Sequence, residues 1–468
     1  MKRIMQRSYL VLFVALAFFV GICFLAFRVV TQSTKWVQHS YNGHASASAG
    51  LANAGEISDR SGNKLAYNAD DKRHYNDDQA TREALLHVVG DKSMSISTSI
   101  QSMFRADLTG YNFVLGMGLP KSLKSSRDVK LTVDADACKA AYEAIGDRKG
   151  ACVVYNYKTG EVLVSTSTPT YDPENPPDAE TINSEEWYDG VYLDNVISST
   201  YTPGSTFKIV TAAAAIENIP DIYERKFDCE GSIEIGGNPI NCTDAHSQYG
   251  KISFEEAFAY SCNVVFAQLA LEIGPEKMKE TAEKMGFNTD NPRMSGIPIA
   301  ESFYNADGAD ENTLAWTGIG QGFGEYEDRA NPLRMAILAG GIANGGTAVS
   351  PFIVEDDGSL MNKLGIKTNK DGDINMLSPS TAAKVQKLMK AAAINYDSSK
   401  GIRVGDLPFC AKTGTAERGD GKAETAWFVG YVEDQNYPYA FAVTIEEGGS
   451  GADAAAPVAD AAVSALIK

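Results

Sequence analysis

Histidine is scarce in this 468-residue chain: there are five, and His246 alone lies beyond residue 87. A Ser-His-Asp hydrolase would have to use His246, yet no G-x-S-x-G elbow is present. No H-E-x-x-H or comparable metal-ligand spacing occurs, and none of the seven cysteines forms a C-x-x-C pair. Basic residues are in deficit, 42 Lys and Arg against 60 Asp and Glu, for a net charge of −18. That argues against a nucleic-acid partner, which needs basic surface to neutralise phosphates. The glycine-rich stretch GIGQGFG, 318–324, fits neither the dinucleotide nor the Walker pattern and reads as structural. No internal repeat is visible. No cofactor motif and no metal set is expected.

The chain starts with a basic stretch, Lys2, Arg3 and Arg7, followed by residues 8–27 without a charge. That run matches the roughly 20 residues that cross a bilayer. A cleaved signal peptide would have a shorter apolar core, of about 7–15 residues, with small residues soon after it. Here the small-residue stretch ASASAG comes much later, so an uncleaved anchor is expected. The basic flank places residues 1–7 in the cytoplasm and the remainder outside.

Residues 28–127 are polar and include the linker-like ASASAGLANAG. GEISDRSGNKLAYN reads as a hairpin and DQATREALLHVVG as a short helix, so this stretch is a small accessory module. From residue 128 the pattern changes. A short strand and a helix precede GACVVYNYKTGEVLVST, which reads as two strands joined by a turn at Lys158-Thr159-Gly160. PTYDPENPPDAETINSEEW is a Pro-rich, acidic surface loop. CEGSIEIGGNPINC reads as a hairpin flanked by Cys229 and Cys242, a candidate disulfide outside the cell. The polar stretch 354–373 is loop or small hairpin. SPSTAAKVQKLMKAAA begins a helix capped by Ser378 with Pro379 at its first position. Apolar strands and an Ala-rich helix close the chain. Strands clustered at both ends of 128–468 predict an α+β fold, an antiparallel sheet flanked by helices.

Three places could carry chemistry. In YTPGSTFKIV, Ser205 opens an apolar helix and Lys208 lies one turn on, on the same face. A lysine entering a buried helix is costly unless paired or neutral. Burial lowers its pKa, and a neutral amine within reach of a serine hydroxyl is a general base. At Ser261-Cys262-Asn263 a helical pair breaks, and a two-residue step on a loop aims two side chains into one cleft. Ser261 could relay a proton there and Asn263 could bond a substrate amide. In the second triplet, Lys412-Thr413-Gly414-Thr415, the glycine permits close backbone approach within a strand. A substrate peptide could pair along that strand. Lys412, Thr413 and Thr415 offer charge and donors to a carboxylate, and Lys412 would depress Lys208 by like charge. The N–H groups of Ser205 and Thr415 are a candidate oxyanion hole.

In that order, PGSTFK, SCN and KTGTAE resemble the motifs of penicillin-binding transpeptidases and serine β-lactamases. GEISDRSGNKLA, YKTGEVLVSTSTPTYDPE, IGQG, PLRMAILAGGIANGG and AWFVGY narrow the resemblance to class B penicillin-binding proteins. One departure is Ala54-Gly55, where the family's membrane-proximal motif usually begins Arg-Gly. The resemblance implies a peptidoglycan D,D-transpeptidase with Ser205 as the acylated nucleophile, Lys208 its base and Ser261 the proton relay. Asn263 would contact the substrate amide, and Lys412, Thr413 and Thr415 its carboxylate. It implies D-Ala-D-Ala stem peptides as substrate, β-lactams as covalent ligands and a membrane-embedded glycosyltransferase of the SEDS type as partner. A D,D-carboxypeptidase, or a membrane-anchored β-lactam-binding sensor or scaffold, is the alternative.

Overall fold

The computed structural model describes residues 2–37, 51, 54–112, 117–118, 128–242, 250–356, 372–417 and 423–467. His246, most of the linker-like ASASAGLANAG (45–55) and most of the polar stretch 354–373 lie outside the described residues. Helix α1, Lys2–Val37, contains Arg7–Ala26, a segment with a mean hydropathy of 2.8 that is nowhere buried by the rest of the chain. It fits a single-pass membrane anchor.

The accessory region folds on a five-stranded sheet that draws on distant parts of the chain. Strands β1 (Ile57–Ser58), β2 (Lys64–Ala69) and β3 (Lys72–Tyr75) form an antiparallel run. The anticipated hairpin is its first pair. On the other side of β1 lies β4 (Val129–Leu131), in parallel. Residues Val354–Asp356 then pair with β4. The sheet therefore continues across the compositional change at residue 128. The short helix read over this region is two pieces, Gln79–Ala84 and Leu86–Val89, interrupted at Leu85. Arg82 binds Asp172 through two parallel hydrogen bonds of 2.7 and 2.8 Å. That pair ties the first piece to the Pro-rich loop, which itself holds a helix, Ala179–Ser184. Next to Gly55, where the arginine of the family motif is missing, buried Arg73 donates to the Gly55 carbonyl at 2.7 Å.

The main sheet is antiparallel and is built from both ends of the large domain. It comprises β5 (Gly150–Asn156), β6 (Val162–Thr168), β7 (Phe409–Ala416), β8 (Thr425–Val432) and β9 (Tyr439–Ile445), in the order β7-β8-β9-β5-β6. Every residue of β8 is buried. Both faces are thus covered, which is why AWFVGYV is apolar without alternation. Helix caps follow local chemistry. Ser378 accepts from the Thr381 amide, and Gly401 ends that helix, Pro379–Lys400, in the left-handed conformation. Ser253 and Glu256 form a reciprocal capping box on Phe254–Ala259. The α+β expectation holds. What matters for the site is that β7 is an edge strand: among the described residues no strand pairs on its outer side, although Thr413 N–H bonds Tyr396 Oη and Thr415 O accepts from Gln321.

Candidate active site

The nucleophile candidate sits on a single turn of 3-10 helix, Gly204–Phe207, which leads into the buried helix Lys208–Asn218. Gly204 has φ of +52°, and a Cβ there would lie 2.7 Å from the Thr415 carbonyl oxygen. The turn is therefore pressed onto β7, which brings Ser205 beside Thr415. Gly414 is needed for the same approach. Its added Cβ would meet the Pro203 carbonyl and the Thr206 methyl, each at 2.9 Å. The close backbone at Gly414 is thus the chain's own nucleophile turn, not only an incoming peptide. The turn is held from behind. Trp427 of β8 donates its indole N–H to the Thr202 carbonyl at 2.9 Å, and Gly204 N–H bonds Gly320 O at 2.9 Å. A Cβ on Gly320 would come within 2.1 Å of the Gly204 oxygen. GIGQGFG is a structural support, as read from the sequence.

Lys208 and Lys412 are both fully buried. Among the described residues neither has a carboxylate partner. Lys208 Nζ lies 3.2 Å from Ser205 Oγ and 3.1 Å from Ser261 Oγ, and it donates to Ser261 O and Asn263 Oδ1 at 2.6 Å each. Burial drives its pKa well below the ordinary lysine value, and the charge of Lys412 pushes it further down. The neutral amine this produces is within hydrogen-bond reach of the serine proton. Lys412 Nζ lies 2.9 Å from Ser261 Oγ, and burial alone lowers its pKa to about 7. Ser261 thus bridges the two lysines. It does so from a left-handed backbone conformation, φ +58°, that a non-glycine residue adopts at a cost of about 1–2 kcal/mol.

Ser205, Lys208, Ser261, Asn263 and Lys412 are brought into one hydrogen-bonded group, with Thr413 and Thr415 on the adjoining strand, whereas Cys229 and Cys242 lie apart from it. Asn263 is anchored as well as presented, since Nδ2 donates to Asn241 O at 2.7 Å while Oδ1 accepts from Lys208. Each end of the amide keeps one further hydrogen bond for a ligand. Thr415 is exposed at the mouth, and the Thr413 hydroxyl donates inward to Tyr396 at 3.0 Å. Sequence reasoning missed Tyr396. Its buried hydroxyl also accepts from Lys412 Nζ at 3.3 Å, so it sets the end of the lysine from a helix that carries no motif. Cys229 and Cys242 flank the predicted hairpin, Ser232–Ile235 with Asn238–Asn241, as free thiols whose sulfurs are 3.7 Å apart. Cys262 joins them, which the spacing of the pair did not reveal.

The penicillin binding protein transpeptidase domain matches residues 150–464. The chain belongs to that family. The peptidoglycan D,D-transpeptidase PbpA of Mycolicibacterium smegmatis is 30% identical over 371 residues, covering 73% of this chain and 72% of that protein. Penicillin-binding protein A from M. tuberculosis, solved as a ceftriaxone acyl-enzyme complex, superposes with a TM-score of 0.75 at 26% identity. The match covers 89% of this chain and 99% of that one. The same protein as its penicillin G acyl-enzyme complex gives 0.74 at 25% identity, over 89% of this chain and all of that one. In this penicillin-binding protein the S-x-x-K, S-x-N and K-T-G motifs are Ser205–Lys208, Ser261–Asn263 and Lys412–Gly414.

Proposed function

We infer that this chain is a peptidoglycan D,D-transpeptidase in which Ser205 is acylated by D-Ala-D-Ala stem peptides and, as a dead end, by β-lactams. The observation that carries the reading is the buried amine of Lys208, 3.2 Å from Ser205 Oγ and without a carboxylate partner among the described residues. The stem peptide would align along the open edge of β7, its terminal carboxylate toward Lys412, Thr413 and Thr415. A carboxylate arriving at Lys412 raises that group's pKa again and keeps it charged. Ser205 Oγ attacks the carbonyl of the penultimate D-Ala while Lys208 Nζ takes its proton. The N–H groups of Ser205 and Thr415 receive the oxyanion; the packing of Gly204 against Thr415 supports this placement. Collapse expels the terminal D-Ala, whose amine takes a proton through Ser261, in contact with both lysines. Asn263 orients the substrate amide. An amine from a neighbouring strand then attacks the acyl-enzyme, forms the crosslink and frees Ser205.

The basic flank of the anchor supports a cytoplasmic N-terminus with the large domain outside. We also propose that residues 28–127 serve as a pedestal that docks a membrane-embedded glycosyltransferase of the SEDS type. The test of the central reading is acylation by a fluorescent penicillin and crosslinking of a stem-peptide substrate by the full-length protein in detergent. Labelling with crosslink formation is expected. Hydrolysis without crosslinking in the presence of an acceptor amine would make the protein a D,D-carboxypeptidase.

A further inference from the structure

Cys262 sits inside the S-x-N motif, between the residues that bridge and present the catalytic groups. Its side chain turns away from the cleft and is buried against the hairpin. There its sulfur lies 3.2 Å from Cys229 Sγ and 3.6 Å from Cys242 Sγ, and those two are 3.7 Å apart. Three thiols on three separate segments thus form a triangle in which Cys262 is nearer to each of the other two than they are to one another, which makes it the common partner for a bond of about 2.05 Å. The hairpin already holds the motif, through Asn241 O and the Asn263 amide. The Cys242 sulfur faces the start of helix Asn263–Ile273. It is held below its ordinary pKa by its hydrogen bond with Cys262 and then by the Val264 and Asn263 amides, the setting of an attacking thiolate.

We propose that Cys229, Cys242 and Cys262 are a redox centre that carries one disulfide, always including Cys262, with the third thiol positioned to exchange into it. Formation takes two thiols to a disulfide and passes two electrons and two protons to an external protein disulfide, which is reduced to a dithiol. Exchange moves no electrons. The free thiolate attacks the sulfur of its neighbour, a new S–S bond forms, and the displaced cysteine leaves as thiolate. A bond from Cys262 to the hairpin clamps Ser261 in its left-handed conformation and Asn263 beside Lys208. Reduction leaves the motif held by packing and the Asn241 contact. The functional half of the proposal rests on Ser205 being the acylated residue; the disulfide half does not.

The test uses the full-length protein purified in detergent without reductant, quenched with N-ethylmaleimide and mapped by peptide mass spectrometry. Cys262 is expected in disulfides with both Cys229 and Cys242, with one alkylated cysteine of the three per molecule. A sole Cys229–Cys242 disulfide, three alkylated thiols, or one bound zinc or copper ion per chain would overturn the proposal. Acylation by fluorescent penicillin is then timed before and after reduction. Reduction is expected to slow it roughly tenfold, the scale of one lost positioning hydrogen bond. Cys229→Ser and Cys242→Ser should each keep that response, because Cys262 retains one partner, whereas the double variant should lose it. Equal rates in oxidised and reduced wild type would overturn the coupling to the active site. Absence of labelling in every form would sink the transpeptidase reading, while the mapping would still decide the disulfides.

Discussion

Lys158-Thr159-Gly160 and Lys412-Thr413-Gly414 are the same three residues in opposite surroundings. The first occupies the tip between β5 and β6, where Lys158 is exposed and bonds the side chain of Asn344 at 2.8 Å. Gly160 is required there for its φ of +87° and because a Cβ would lie 2.3 Å from the Ser350 carbonyl oxygen. The second lies on edge strand β7, where Lys412 is fully buried beside Ser261 and Tyr396. Gly414 is required there for space, because the nucleophile turn lies on it. Identical side chains acquire different chemistry from burial and neighbours. Burial lowers the Lys412 amine to about 7, and its charge in turn depresses Lys208.

The contrast can be broken at several points. The largest effect is expected from Lys208→Ala, which should cut the acylation rate by about 10²–10⁴, the range of a lost general base, with the thermal melt nearly unchanged. Normal acylation would remove Lys208 from the role of base. Lys412→Ala comes next. It should weaken acylation and also move the acid limb of the pH profile upward. The sign follows from the charges. Lys208 works as the neutral amine, so acylation falls as pH drops through its pKa. Removing the Lys412 charge lets that pKa rise. A limb that stays in place, or moves to lower pH, would show that the two lysines are not coupled as described.

Gly414→Ala should cost about 1–3 kcal/mol of stability and slow acylation together, since the new methyl meets the Pro203 backbone and pushes the turn off the strand. Loss of stability with full acylation would mean that Ser205 does not depend on that packing. Tyr396→Phe should slow acylation by roughly threefold to tenfold, because it removes the acceptor shared by Lys412 Nζ and by the amide and hydroxyl of Thr413. The smallest effect, none, is expected for Lys158→Ala. Loss of labelling there in a folded protein would reverse the assignment of the two triplets.

The residues proposed to act in catalysis stood out in the sequence because each sits in a local pattern whose chemistry is local too. Lys208 enters a helix whose body is apolar almost all round, so its burial could be read from its neighbours. The break at Ser261 and the turn at Gly236-Gly237 were equally visible. Tyr396 and Cys262 were not. Tyr396 reaches Lys412 from a helix whose position depends on the sheet. Cys262 meets Cys229 and Cys242 only because the S-x-N segment packs on a hairpin remote from it in the chain. Gly414 was read for the right property, close backbone approach, but the approaching strand was taken to be substrate alone. The accessory sheet was hidden for the same reason: Val129–Leu131 and Val354–Asp356 join strands far ahead of them. No local signal encodes that pairing.

The most direct test of the central claim is the intact mass of the full-length protein in detergent after incubation with benzylpenicillin, wild type beside Ser205→Ala. A single stable adduct on wild type, absent from the variant, is the predicted result: Ser205 is then the nucleophile and water reaches the acyl-enzyme slowly. An adduct that persists on Ser205→Ala, or intact drug with unmodified wild type, would contradict the account.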